Sequence, residues 1–113
     1  MIKNTSKHMI LTGSYNICNN IFTKGMGLMF RPKPSCLVFN YDKEVNVPLH
    51  MWFVFFPIDV LWLDSNLKVV HVLKDFKPFS SYNPKTLAKY IVELPAGSIN
   101  DTEIGDQLWF DQI

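Results

Sequence analysis

Asp59 is the point at which this sequence departs most sharply from its apolar surroundings. It interrupts the run Ile58-Asp59-Val60-Leu61-Trp62-Leu63. A carboxylate in such a strand needs a charged partner, hydrogen bonds or a proton. Without partners, desolvation raises its pKa, and that is how a general acid or base is often made. The competing reading is a structural Asp satisfied by backbone amides or by a base. Arg31 is the only arginine; the other ten bases are lysines. A guanidinium holds a carboxylate through two parallel hydrogen bonds, which an ammonium cannot do. Arg31 is therefore expected to pair with Asp59, Glu93 or Asp106, or else to be a surface base beside Pro32 and Pro34. Together, Asp59 and Arg31 are the catalytic candidates.

The candidates for ligand binding are Phe76, Phe79 and Tyr82. They lie among prolines between Asp75 and Pro84. Flat aromatic faces with nearby amides suit sugars, peptides or other amphipathic ligands. A lid over the end of the domain is the alternative. The remaining chemistry is sparse. There is no G-x-S-x-G, C-x-x-C, H-E-x-x-H or phosphate-loop spacing. No metal and no cofactor is expected. Met26, Met29 and Cys18 fit core packing better than a soft-metal site. Cys18 and Cys36 lie among apolar neighbours and read as buried free thiols.

These side chains must be positioned by short strands. Turn signals recur every 8–15 residues, which suits an all-β chain. Strands are expected at His8–Leu11 and Tyr15–Cys18 around a turn at Thr12-Gly13-Ser14, then at Cys36–Phe39. A charged turn follows at Asp42-Lys43-Glu44. Val47–Val54 and Ile58–Asp64 are apolar on both faces, the mark of strands inside a sheet covered on both sides. Leu67–Leu73, Leu87–Leu94 and Gln107–Phe110 complete the set. Two short helices are expected, over Ile21–Met29 and after a capping box at Ser98-Ile99-Asn100-Asp101, the second ending at Gly105. The architecture is a single-domain, jelly-roll-like antiparallel β-sandwich or small barrel. A two-residue hairpin at Ser65-Asn66 would set Asp59 opposite Val72 and Val60 opposite His71. His71 then shares a face with Val60 and Trp62, away from Asp59.

A chain of 113 residues fits one domain. Hydrophobic residues at 48% and charged residues at 19% exclude a disordered chain. The net charge of +1 argues against nucleic acid as a partner. Residues 1–57 carry six bases and two acids, whereas residues 58–113 carry five bases and eight acids. That asymmetry marks either a weak anion-facing patch around Lys24, Arg31 and Lys33 or an ordinary solvated surface. The most apolar stretch, Leu49–Leu63, contains His50, Pro57 and Asp59, so no membrane partner is expected. A soluble cytoplasmic protein, monomeric or a weak homodimer, follows.

Three motifs carry a family resemblance. Gly27-Leu28-Met29-Phe30-Arg31 resembles a Gly-Leu-Met-x-Arg signature. Met51, Pro57-Ile58-Asp59-Val60 and Leu63-Asp64 are similar to a central Met and a Pro-Leu-Asp-Val-x-Phe-Leu-Asp stretch. Glu93-Leu94-Pro95-Ala96-Gly97 with Ile104-Gly105-Asp106 resembles a Leu-Glu-x-x-Ala-Gly and Gly-Asp ending. The family is the domain-of-unknown-function family 192, over residues 15–110. The resemblance implies an all-β, jelly-roll-like fold and no particular reaction. His50-Met51-Trp52-Phe53-Val54 departs from the family's Trp-Met-Lys-Asn-Thr and lacks its polar run. The leading expectation is a binding or interaction module contacting an unknown ligand or protein partner. The alternative is a small enzyme using buried Asp59 as acid or base, oriented by Arg31.

Overall fold

The structure is a computed structural model and describes residues 1–18, 35–51 and 54–112. The helix expected over Ile21–Met29, together with Lys24, Arg31 and Lys33, lies outside the described residues. Ten strands are present among the described residues. They are β1 (Ile2–Asn4), β2 (Met9–Thr12), β3 (Asn16–Cys18), β4 (Leu37–Asn46) and β5 (Leu49–His50), then β6 (Ile58–Leu63), β7 (Val69–Phe76), β8 (Ser81–Tyr82), β9 (Leu87–Pro95) and β10 (Leu108–Phe110). They form a five-stranded sheet in the order β3-β4-β9-β6-β7, a three-stranded sheet β10-β1-β2 and a two-stranded ribbon β5-β8. The fold is all-β and sandwich-like. No sheet closes into a barrel among these residues. No described helix is long and apolar enough to cross a membrane.

The doubly apolar pattern of Ile58–Leu63 has the expected consequence. Every residue of β6 is buried, and the strand lies between β9 and β7. Alternate side chains feed two cores on opposite faces of the five-stranded sheet. On one face Val38, Leu61, Val92 and Leu94 pack with Ile2, Leu11, Leu108 and Phe110 of the three-stranded sheet. On the other, Leu37, Val60, Trp62 and Ile91 pack with Met51, Val54 and Phe76, and with partly buried Leu49 and Tyr82 of the ribbon. Cys36 belongs to the first core and Cys18 to the second. Neither is in a disulfide, and the sheet separates them. Trp62, fully enclosed, satisfies its one donor by giving Nε1–H to the Val47 carbonyl at 3.1 Å.

Several expectations need correction. The Ser98–Gly105 segment is a series of turns rather than a helix. Gly97, Asn100 and Gly105 have φ of 90°, 52° and 96°, and left-handed residues at that spacing cannot propagate a right-handed helix. The Ser98 hydroxyl donates back to the Pro95 carbonyl at 2.6 Å instead of capping a helix. Asp42-Lys43-Glu44 is a continuation of β4, not a turn. The strand is irregular between Asn40 and Val45, where Lys89 Nζ donates to Asn40 Oδ1 and the Tyr41 carbonyl. The chain around Thr12-Gly13-Ser14 does not fold β2 and β3 into a hairpin. β2 pairs with β1, while β3 crosses to the other sheet and runs parallel to β4, so the fold is not wholly antiparallel. Of Val47–Val54, the described strand is only Leu49–His50.

The β6–β7 connection is a three-residue loop. Asp64 N–H donates to the Lys68 carbonyl at 2.9 Å, and Leu67 takes φ of 64°. A turn followed by a left-handed residue is the usual three-residue hairpin solution. With the neighbouring bulges, this moves the register so that Val60 faces Leu73 and Trp62 faces His71. The shift from the expected pairing of Val60 with His71 is two residues. An even shift leaves every side chain on its face, so His71 still lies with Trp62 and away from Asp59.

Candidate functional site

Asp59 is 2% exposed. It pairs with Leu94 across β6–β9 and so faces the core shared with the three-stranded sheet. Its Oδ1 accepts the Asp75 amide at 3.0 Å. Its Oδ2 accepts the amides of Gly97 at 2.9 Å and Ile99 at 3.3 Å. Asp75 and Gly97 both have positive φ, 54° and 90°. One carboxylate thus gathers three donors from two left-handed kinks, one in β7 and one after β9. Three amide bonds satisfy a buried carboxylate without a counter-cation. Both Asp59 oxygens are thus occupied by backbone amides, the arrangement the structural alternative calls for.

Arg31 lies outside the described residues. Its other two named carboxylates sit in contrasting environments. Asp106 Oδ2 accepts from Asn4 Nδ2 at 2.9 Å and from the Glu103 amide at 3.0 Å, and Oδ1 meets Lys7 Nζ at 2.9 Å. Burial alone would raise its pKa, but these hydrogen bonds and the Lys7 charge hold it below the usual carboxylate range. Glu93 has no such support among the described residues. It lies on β9 between Leu37 and Val60, both members of the second core. Among the described residues no hydrogen bond reaches its carboxyl group. Burial pushes its pKa up to about 7. Asp59 and Glu93 therefore enter opposite faces of one sheet and meet opposite treatments. Glu93 was visible in the sequence through the same signal as Asp59, an acid interrupting the apolar run Tyr90-Ile91-Val92-Glu93-Leu94.

The three aromatic candidates separate. Phe76 ends β7 and is buried in the second core. Tyr82, on β8, is half-buried; its ring stacks on His71 at 5.5 Å, and its hydroxyl lies 2.6 Å from His71 Nε2. Trp62 closes the group, 5.3 Å from the His71 ring. Phe79 alone stands out, at 48% exposure. Its ring meets Phe55, itself 61% exposed, edge to face at 5.7 Å. The backbone beneath is strapped. Phe79 N–H donates to the Met51 carbonyl at 2.8 Å, and Met51 N–H to the Ser80 carbonyl at 2.6 Å. Phe79 has φ of 60°, an unusual conformation for so bulky a residue. Phe55 was not singled out from sequence. Nothing in the run Trp52-Phe53-Val54-Phe55-Phe56 tells which ring is exposed.

The arrangement presents two exposed rings in mutual contact on a hydrogen-bonded backbone, beside the β5–β8 pairing of His50 with Ser81.

Comparison with known proteins places the chain. Two solved structures share the fold. One, described as "a putative transcription regulator" from Sinorhizobium meliloti 1021, superposes with a TM-score of 0.79 at 20% identity, covering 84% of this chain and 79% of that one. The other, a protein of unknown function from Novosphingobium aromaticivorans, gives 0.78 at 14% identity, covering 85% and 74%. At those identities the likeness is one of fold. A UPF0127 protein of Pyrococcus horikoshii is 40% identical over 116 residues, covering 97% of this chain and 99% of the relative. Its counterpart in Thermococcus sibiricus is also 40% identical, covering 96% and 73%. Residues 2–110 match the family described as "Uncharacterized ACR". The chain belongs to that family, the domain-of-unknown-function family 192, to which no specific function attaches.

Proposed function

We propose that this protein is a non-catalytic binding module whose recognition surface is the Phe55–Phe79 pair. The observation that carries this reading is the pair itself. Two rings in mutual contact remain exposed on a backbone held by two short hydrogen bonds, one ring on a left-handed residue. Exposed apolar surface and backbone strain both oppose folding, and their coincidence is typical of recognition sites. The ligand is an apolar or amphipathic surface, most simply on a protein partner, engaged by a rigid aromatic anchor. Two buried cysteines outside any disulfide are compatible with a reducing cytoplasm. The protein is a monomer or a weak homodimer.

The test uses indole and benzyl alcohol as probes in amide-resolved NMR titrations. Shifts are expected to concentrate at residues 49–51 and 79–82. They should vanish in a Phe55→Ser/Phe79→Ser variant that keeps the wild-type melting temperature. Shifts that persist in that variant would refute the reading.

A further inference from the structure

A cleft of about 370 Å³ opens where the chain passes from the three-stranded sheet to the five-stranded one. It is lined by Thr12, Ser14, Tyr15 and Asn16 from the end of β2 to the start of β3, by Ser35 and Cys36 before β4, and by Pro95 at the end of β9. The volume lies within the range of small-molecule sites.

Three features specify what the cleft would hold. First, its carbon walls are fixed. The Tyr15 ring packs edge to face on Phe110 at 5.7 Å. Its hydroxyl is already committed, donating to Asp111 Oδ1 at 3.0 Å and accepting the Gln112 amide at 3.1 Å. Tyr15 therefore offers its ring rather than its oxygen, as Pro95 offers its own. Second, three polar groups are uncommitted among the described residues, the Ser14 hydroxyl at the exposed side and two more. Ser35 Oγ is buried and has no hydrogen-bond partner, a costly state for a hydroxyl. It turns among three staggered wells, so a ligand in the cleft can recruit it by rotation about one bond. Asn16 has its backbone tied to the Cys36 carbonyl at 3.1 Å, while its side-chain amide bonds nothing among the described residues. A hydroxyl and a carboxamide each donate and accept. Third, no charged side chain among the described residues lines the cleft. Asp111, beyond the Tyr15 hydroxyl, is met by the N-terminal ammonium at 2.9 Å.

Among the described lining residues an ionic ligand would find no counter-charge, and a purely apolar one would leave Ser35 and Asn16 unpaired. We propose that this cleft binds a small neutral polyhydroxylated ligand, a pyranose sugar or cyclic polyol. The ligand's carbon face rests on Tyr15 and Pro95, and its hydroxyls bridge Ser35 and Asn16. The site stands apart from the Phe55–Phe79 pair. Cys36, at the cleft, belongs to the first core, and Met51, which straps Phe79, belongs to the second.

The test titrates the protein with D-glucose, D-galactose and myo-inositol, with glucuronate, glucosamine and cyclohexanol as comparators, reading amide shifts. Saturable shifts at residues 12–16 and 35–36 are expected with at least one neutral probe, and none with the comparators. Ser35→Ala and Asn16→Ala should each weaken binding by roughly tenfold or more. Ser35→Ala should leave the melting temperature unchanged or higher, because the hydroxyl has no partner to lose. The absence of saturable binding by every neutral probe would overturn the proposal. So would equal binding of a charged comparator, or full affinity in the Ser35→Ala variant. Shifts confined to residues 49–51 and 79–82 would overturn it too, because they would move the ligand to the aromatic pair.

Discussion

Glu93 is the side chain whose environment and chemistry disagree most. Its carboxyl group is buried between Leu37 and Val60, and its pKa rises from an ordinary 4.5 to about 7 because ionisation there costs solvation. The folded protein therefore binds a proton more tightly than the unfolded chain between those values. The contribution is fully present below about pH 4.5 and is lost as pH rises through about 7. The loss is on the order of 3 kcal/mol. Glu93→Gln keeps the shape and removes the ionisation. Urea denaturation across this range should show the variant's stability flat where the wild type declines, with the variant the more stable protein at pH 8. Parallel curves for the two proteins would exclude this account. The comparison with Asp59 shows how far residue-level reading extends. A lone acid in an apolar run announces burial for both residues. Whether amides converge on it depends on Asp75, Gly97 and Ile99, which are 16, 38 and 40 residues away in the chain.

Elements carry the next layer, and here the turns decide. Gly97 has φ of 90°, and an added Cβ would meet nothing within 4 Å. Gly97→Ala therefore tests conformation without collision. The cost should be about 1–2 kcal/mol, read as a lower melting temperature, because the strained residue also aims its amide at Asp59. Gly13 is equally uncrowded but shows no left-handed φ, so Gly13→Ala should stay within about 0.5 kcal/mol of wild type. Similar losses in both would mean that φ is not the cause. The strands with continuous apolar character, β6 and β9, were readable because burial on both faces leaves a compositional trace. β1 was not, because three residues with alternating burial carry almost no pattern. Gly105 was correctly read as left-handed, yet the helix expected before it is absent, since Gly97 and Asn100 take the same conformation. The candidate aromatic surface was half readable. Composition marked the 75–84 segment, but which ring would stay outside was decided by the pairing of β5 with β8.

At the scale of the whole molecule, the middle sheet is covered on one face by the chain's first and last strands together. β1 lies between β2 and β10, with Ile2 paired to Phe110 and fully enclosed. Polar ties fasten the same junction: Asn4 Nδ2 donates to Thr102 Oγ1 and Asp106 Oδ2, both at 2.9 Å. Ile2→Ala, though almost at the chain terminus, should cost about 2–5 kcal/mol, as in any close-packed core. Calorimetry would show a single transition at lower temperature. A change below about 0.5 kcal/mol would mean that this strand is not part of the cooperative unit. The same pairing constrains biosynthesis. β1 meets β2 almost at once, but it finds β10 only after about a hundred intervening residues have been translated. Until β10 is made, one edge of β1 has no partner strand and the oily face beneath is only half covered.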